Sequence, residues 1–304
     1  MSTAYVFPGQ GSQTVGMGSD WLGRSALVKQ TFEEADDALG EKLSDVILEG
    51  PIEDLTRTEN TQPALLTVSV AYWRVLQAEG MSPDVVAGHS LGEYSALVCA
   101  GALPFADAVR VTRLRGQAMQ SAVPVGEGTM AAILLIKDEA VIEELCAKAA
   151  EGEVLEPAGF NTVGQTVIAG ATAAVRRAVD LAGEYKGRGV ELNVSAPFHC
   201  SMLSPAEGPL GEALAAVEIA PLSCPYVPNV TGTWTADPSA ESVRANLVGQ
   251  VSKPVRWLQT MQSMADHGVD QWLEVGHGRT LVGFVKRFDR KAASSTFEEE
   301  KWRG

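Results

Sequence analysis

The chain has 304 residues, 45% hydrophobic and 20% charged, with a formal net charge of −14. Such a balance excludes wholesale disorder and leaves room for one large domain or two moderate ones. The acidic excess excludes bulk affinity for nucleic acid or anionic lipid. Cys99, Cys146, Cys200 and Cys224 lack CxxC or metal-ligand spacing, so reduced thiols are expected rather than a disulfide framework. Residues 1–15 have neither a basic nor an apolar leader region, and no run reaches the ~18 apolar residues that cross a bilayer. A cytoplasmic protein is expected.

Residues 4–7 read as a first strand, stopped by Pro8-Gly9. Residues 64–78 form the clearest helix, and residues 84–87 a second strand that leads straight into Gly88. Strands separated by helices predict a parallel α/β sheet. Near Pro124 the texture changes. Residues 129–136 read as a strand and 137–150 as a helix. Short strands follow around 154–155 and 166–169, then a helix over 173–185 and a strand over 190–194. The order βαββαβ is the ferredoxin-like arrangement. It predicts a small domain, residues 127–197, inserted into a large α/β domain formed by 1–126 and 198–304. The polar tail from Ala292 to Gly304 is expected to be frayed.

Gly88-His89-Ser90-Leu91-Gly92 matches G-x-S-x-G between a strand and a helix over residues 91–100. On such a tight turn the serine hydroxyl projects outward, and the glycines are required because side chains would clash. The helix N-terminus offers the Leu91 N–H and a positive dipole end to an oxyanion formed at a thioester. A chance pentapeptide at a surface turn lacks that strand–turn–helix context. His89, next to Ser90, is expected to point away and to serve packing or hydrogen bonding.

A base must come from His89, His199, His267 or His277. His267 ends a helical stretch, where a polar residue is ordinary. His277 lies in a glycine-flanked loop. His199 sits where the inserted domain rejoins the large one, and such junctions form clefts. Spacing alone does not separate His199 from the others. Asp107, Asp138 and Asp180 lie at or in predicted helices as solvated residues do, so no triad acid stands out. A dyad is expected, with the imidazole oriented by a backbone carbonyl or amide.

On the helix over residues 105–122, Ala108, Val111, Thr112, Ala118, Met119 and Ala122 share one face. Arg115 falls in the middle of it. An arginine there is either internally paired or snorkelling, or it presents its fork to a substrate carboxylate. Beside an acyl-transfer site the second account selects a malonyl over an acetyl group.

Three long segments then carry a resemblance: Phe7-Pro8-Gly9-Gln10-Gly11-Ser12-Gln13, Gly88-His89-Ser90-Leu91-Gly92-Glu93-Tyr94-Ser95-Ala96-Leu97, and Asn193-Val194-Ser195-Ala196-Pro197-Phe198-His199. Together with Leu114-Arg115-Gly116, Asn229-Val230-Thr231 and Glu274-Val275-Gly276 they resemble malonyl-CoA:acyl carrier protein transacylases from about Ala4 to Arg287. The resemblance implies an α/β-hydrolase-like fold with a ferredoxin-like insert. It also implies ping-pong transfer from malonyl-CoA, through Ser90 and with His199, to the phosphopantetheine thiol of acyl carrier protein, in fatty acid or polyketide synthesis. It places Arg115 on the malonyl carboxylate, the Gln10 and Leu91 N–H groups in the oxyanion hole, and the Gln250 carbonyl behind the histidine. Phe198 resembles the residue of malonyl-selecting enzymes. His277 departs from a position that is often proline. No cofactor, metal, nucleic acid or membrane is implied.

Pro8 to Gln13 is not a phosphate loop, because Thr14 stands at the third glycine position and no Gly-Lys-Ser/Thr follows. A serine hydrolase shares Ser90 and His199, and Arg115 with the missing acid separates transfer from hydrolysis. Intact Ser90, His199 and Arg115 argue against a non-catalytic docking module. An acidic chain that meets an acidic carrier protein calls for a local basic patch, drawn from Arg188, Lys253, Arg256, Lys286 or Arg287.

Overall fold

Residues 3–7 alternate so that Tyr5 and Phe7 join one hydrophobic cluster while Ala4 and Val6 join another, all at most 1% exposed. A strand buried on both faces belongs at the centre of a parallel sheet with helices on either side. The computed structural model describes residues 1–301 and builds that sheet. In chain order its strands are β1 (Thr3–Phe7), β2 (Val85–Gly88), β3 (Gly128–Leu134), β4 (Leu155–Thr162), β5 (Gln165–Ala171), β6 (Arg188–Glu191), β7 (Gln271–Glu274) and β8 (Ala293–Thr296).

The first sheet has the order β2-β1-β7-β8, and every pairing is parallel. Helices Ala26–Leu39, Thr58–Ala78, Gly92–Cys99 and Phe105–Ser121 bury the face that carries Tyr5 and Phe7. Helices Trp257–Asp266 and Thr280–Phe288 cover the other through Trp257, Met261, Leu281 and Val285. The second sheet has the order β4-β5-β3-β6 and is antiparallel throughout. Ala131 and Ile133 of β3 face helices Glu139–Ala150 and Thr172–Leu181, and Met130 turns to the opposite side. The chain is thus mixed α/β, with one parallel and one antiparallel sheet. Among the described residues no helix is long and apolar enough to cross a membrane.

Several elements differ from the sequence expectation. The helix expected from residue 64 begins at Thr58. Pro63 sits in its second turn, where it removes a single backbone bond, so the helix passes through it. The short strands expected around 154–155 and 166–169 belong to a longer hairpin, β4 and β5, turned at Val163-Gly164. The strand expected over 190–194 lies earlier, at β6. Its ladder with β3 begins where β3 ends, at Leu134↔Arg188, and closes at Ala131↔Glu191. Leu192 and Val194 keep the apolar alternation because they line a cavity.

The expected frayed tail is ordered over residues 293–301. Strand β8 pairs with β7, and Phe297, fully buried, stacks on Tyr72 at 4.1 Å beside Trp21. One apolar residue in a polar run carries that docking. The last part of the expected tail, residues 302–304, lies outside the described residues.

Candidate active site

The turn between β2 and helix Gly92–Cys99 is closed so tightly that two of its positions must be glycine. A Cβ on Gly88 would stand 1.9 Å from the Gly92 carbonyl carbon, and one on Gly92 would stand 2.0 Å from the Phe7 oxygen. Between them Ser90 has φ +52°, a left-handed conformation that costs an L-residue on the order of 1–3 kcal/mol. Asn229 holds it there. Its side chain accepts from Ser90 N at 2.7 Å and donates to Gly88 O at 2.6 Å. The Gln250 side chain adds a bond to Ser90 O at 3.0 Å.

His199 reaches the same point from the other end of the chain, on a short turn where it too has positive φ, +65°. Its Nε2 lies 2.8 Å from Ser90 Oγ, and its Nδ1 lies 2.7 Å from Gln250 O. A carbonyl can only accept, so Nδ1 carries the hydrogen and Nε2 is left as the acceptor for the serine hydroxyl. Burial, and then the charge of Arg115, push the His199 pKa down to about 3. The imidazole is therefore neutral around neutral pH.

Arg115 is 1% exposed. It donates to Gln62 Oε1 and Gln250 Oε1 at 2.7 Å each, and to Ser90 Oγ at 3.2 Å. Its guanidinium also lies 5.6 Å from the Tyr94 ring centroid. All these partners are neutral. A buried guanidinium supported only by amides, a hydroxyl and a ring retains capacity for an anion.

Ser90, His199, Arg115, Gln10 and Phe198 all border one cavity of about 280 Å³. The second sheet walls one side through Met130 of β3, Ala158 of β4 and Val167 of β5, and helix Thr280–Phe288 lines the other through Thr280, Leu281 and Phe284. Leu91 buries its side chain in the core. Among the described residues, neither its amide N–H nor that of Gln10 is bonded within the chain. Gln250 does not border the cavity; it stands behind both His199 and Arg115.

Among the described residues none of the remaining histidines bonds Ser90 Oγ. His89 borders the cavity but bonds Asn161 Oδ1 at 2.8 Å, and burial lowers its pKa. His267 caps its helix and stacks on Trp234 at 4.5 Å. His277 ties the loop after β1 through Thr14 Oγ1, 2.8 Å away, and lies 3.6 Å from Glu298.

Of the basic residues, Arg256 follows cavity-lining Val255 and lies over the Phe160 ring. Arg287, near cavity-lining Phe284, bonds Gln165, and Lys253 is exposed. Lys286 is set apart from them: it donates to Ala292 O and borders a separate hollow beside β7 and β8.

Sequence reasoning assigned nothing to Asn229, Glu93, Gln62 or Asn161. Asn229 and Glu93 stood in quoted motifs without a role. Glu93 is wholly buried; its Oε2 accepts from Asn229 N at 3.1 Å and from Gln250 Nε2 at 2.7 Å. Burial pushes its pKa up to about 7, against the pull of those donors and of Arg115. Nothing local marks such a residue, since a glutamate in a first helical turn is ordinary.

The family model described as "Acyl transferase domain" matches residues 4–296. The malonyl CoA-acyl carrier protein transacylase of Escherichia coli (strain K12) is 46% identical over 299 residues, 97% of this chain and 96% of that protein. Its counterpart in Bacillus subtilis (strain 168) is 43% identical over 289 residues, covering 95% and 90%. An acyl carrier protein S-malonyltransferase from Vibrio cholerae superposes with a TM-score of 0.94 at 46% identity, over 97% of this chain and 96% of that one. A malonyl-transacylase solved in complex with its type II PKS acyl-carrier protein matches with a TM-score of 0.94 at 44% identity, over 97% and 96%. Agreement of this extent, in sequence and in backbone, places the chain in the malonyl-CoA:acyl carrier protein transacylase family of acyltransferases.

Proposed function

We propose that this acyltransferase moves a malonyl group from malonyl-CoA to the phosphopantetheine thiol of acyl carrier protein by way of an ester on Ser90. One observation carries the site assignment: a single hydroxyl oxygen is shared by a neutral imidazole at 2.8 Å and a buried guanidinium at 3.2 Å. The imidazole supplies a base, and the guanidinium supplies a seat for an acyl chain that ends in a carboxylate.

In the first half-reaction Ser90 Oγ attacks the thioester carbon as its proton passes to His199 Nε2. The C–S bond breaks, and the departing coenzyme A sulfur takes that proton. The phosphopantetheine thiol then gives its proton to Nε2 while its sulfur attacks the Ser90 ester, and Oγ leaves with the proton. The free N–H groups of Gln10 and Leu91 stabilise the oxyanion in both halves, and Gln250 O holds the imidazolium that forms transiently within each half. Phe198 bounds the acyl pocket and favours the unbranched malonyl group. The chemistry uses no cofactor and no metal.

The catalytic body is α/β-hydrolase-like, residues 1–126 and 198–304, with a ferredoxin-like insert, residues 127–197. The parallel first sheet with its serine turn after β2 supports the former, and the order β4-β5-β3-β6 supports the latter. The expected compartment is the cytoplasm.

Intact-mass analysis after mixing with malonyl-CoA tests the reading. A malonyl adduct mapped to Ser90 and discharged by holo acyl carrier protein is expected, with neither step in Ser90→Ala. Rapid discharge to water without a thiol acceptor would instead mark a hydrolase.

A further inference from the structure

Arg115 and Glu93 are both buried, at 1% and 0% exposure, and among the described residues no hydrogen bond or ion pair joins them. The Gln250 amide stands between them. Its Oε1 accepts from Arg115 Nη2, and its Nε2 donates to Glu93 Oε2, each at 2.7 Å. One amide thus relays two opposite charges. It leaves the guanidinium bonded to no carboxylate and leaves Glu93 Oε1 without a partner among the described residues. Were Glu93 in direct contact with Arg115, an incoming carboxylate would have to displace it. Were Glu93 absent, the empty site would bury an uncompensated cation.

We propose that Glu93 is the resident counter-charge of Arg115, and that binding of the substrate's carboxylate on Arg115 is coupled through Gln250 to uptake of one proton by Glu93. Glu93 is a positioning residue in this scheme. It touches no substrate and acts through Gln250 on the guanidinium. The proton comes from solvent and settles on the carboxyl, so a site loaded from its ionised form holds one anion and one cation before and after. The proposal rests on the reading of Arg115 as the carboxylate's seat.

The surroundings fit that exchange. Burial raises the Glu93 carboxyl to about 7, and the bonds from Asn229 and Gln250, with the charge of Arg115 after them, pull it back down. A second anion on Arg115 cancels the pull of that charge and raises the proton affinity of Glu93. The other titratable groups in electrostatic contact with Glu93 are Tyr94 on its own helix and Tyr226 in the segment beside β2. Burial raises both phenols, so both stay neutral. His199 is held down by burial and by Arg115 and does not compete for the proton near neutral pH.

Calorimetry on Ser90→Ala decides the matter, with malonyl-CoA and acetyl-CoA titrated in two buffers of different ionisation enthalpy. The coenzyme portion cancels in the difference. Malonyl-CoA is expected to bind roughly tenfold or more tighter than acetyl-CoA. It is also expected to take up ~0.5 proton more near pH 7.5, falling towards zero near pH 5.5, where Glu93 is already protonated. Glu93→Gln in the same background is expected to keep the preference for malonyl and lose the extra proton.

No uptake, or equal uptake with glutamine at 93, overturns the proposal while leaving Arg115 as the seat. Uptake that grows towards pH 5.5 assigns the proton to His199 and also overturns it. This last comparison needs Ser90→Ala alone, so it stands even if Glu93→Gln fails to fold. Loss of the malonyl preference in Ser90→Ala would instead remove the reading of Arg115 on which the proposal is built.

Discussion

Asn229 and Ser90 are 139 residues apart in the chain, yet the Asn229 carboxamide spans the nucleophile turn, accepting from Ser90 N and donating to Gly88 O. A strained serine is held by an amide that satisfies the backbone on both sides of the bend. Asn229 is itself fully buried.

Asn229→Ala therefore strips the part-buried Ser90 N–H and the buried Gly88 carbonyl of their partner. Each loss costs on the order of 1–3 kcal/mol, so a clear fall in melting temperature is expected together with a slower acylation step. Calorimetric unfolding and burst-phase labelling check it. A variant with unchanged melting and unchanged burst would show that the turn holds itself.

Arg115→Ala should lose discrimination far more than fold. Truncating a buried charged contact costs on the order of 2–5 kcal/mol. The ratio of kcat/KM for malonyl-CoA over acetyl-CoA is expected to fall by tenfold at the least, with acetyl turnover maintained or raised. A smaller fall in that ratio counts against the assignment. Arg115→Lys keeps the charge without the fork, so only part of the ratio is expected to return.

His199 also leaves a mark on stability. Between its unfolded value near 6.5 and about 3, the unfolded chain binds a proton that the folded chain does not. Stability therefore falls as pH falls, by up to ~1.4 kcal/mol per pH unit through this residue. Glu93 has the opposite sign: raised from 4.5 to about 7, it takes its proton first in the folded chain and stabilises it as pH drops through that window. Urea unfolding of His199→Ala relative to wild type isolates the first effect. The variant should gain relative stability from pH ~6.5 towards 4.5, and a pH-independent difference would contradict the buried neutral imidazole.

A chain with net charge −14 approaches an acidic carrier protein best through local cations. Arg256 follows cavity-lining Val255 in the chain, and Lys253 and Arg287 lie within three residues of cavity-lining Val255 and Phe284. Transfer to the carrier protein should weaken several-fold as salt rises from roughly 0.05 to 0.5 M, as steering is screened. Charge reversal at Arg287 should flatten that dependence. Salt-independent rates would place docking elsewhere.

How much of this was legible in the sequence follows from the range of each interaction. The Ser90 turn is local: its strand, glycines and helix are contiguous, and its chemistry can be read in a dozen residues. Arg115 betrays itself by helical period alone. His199 could be favoured but not separated from three other histidines, because its partner Ser90 is 109 residues away. Glu93 was illegible on its own. What makes it unusual is a bond to Gln250 over 157 residues and a burial that no local pattern records. The tail was misread for the same reason, since Phe297 means nothing until Tyr72 and Trp21 stand beside it.

That tail has a consequence for handling the protein. Strand β8 is the outer neighbour of β7, and Phe297 plugs the helical layer behind it. A version ending at residue 292 would bare a row of unpaired amides and carbonyls along β7 and open a hole where the ring had been, inviting self-association through the exposed edge. Purification handles thus belong at the amino end, or beyond residue 301 on a polar spacer.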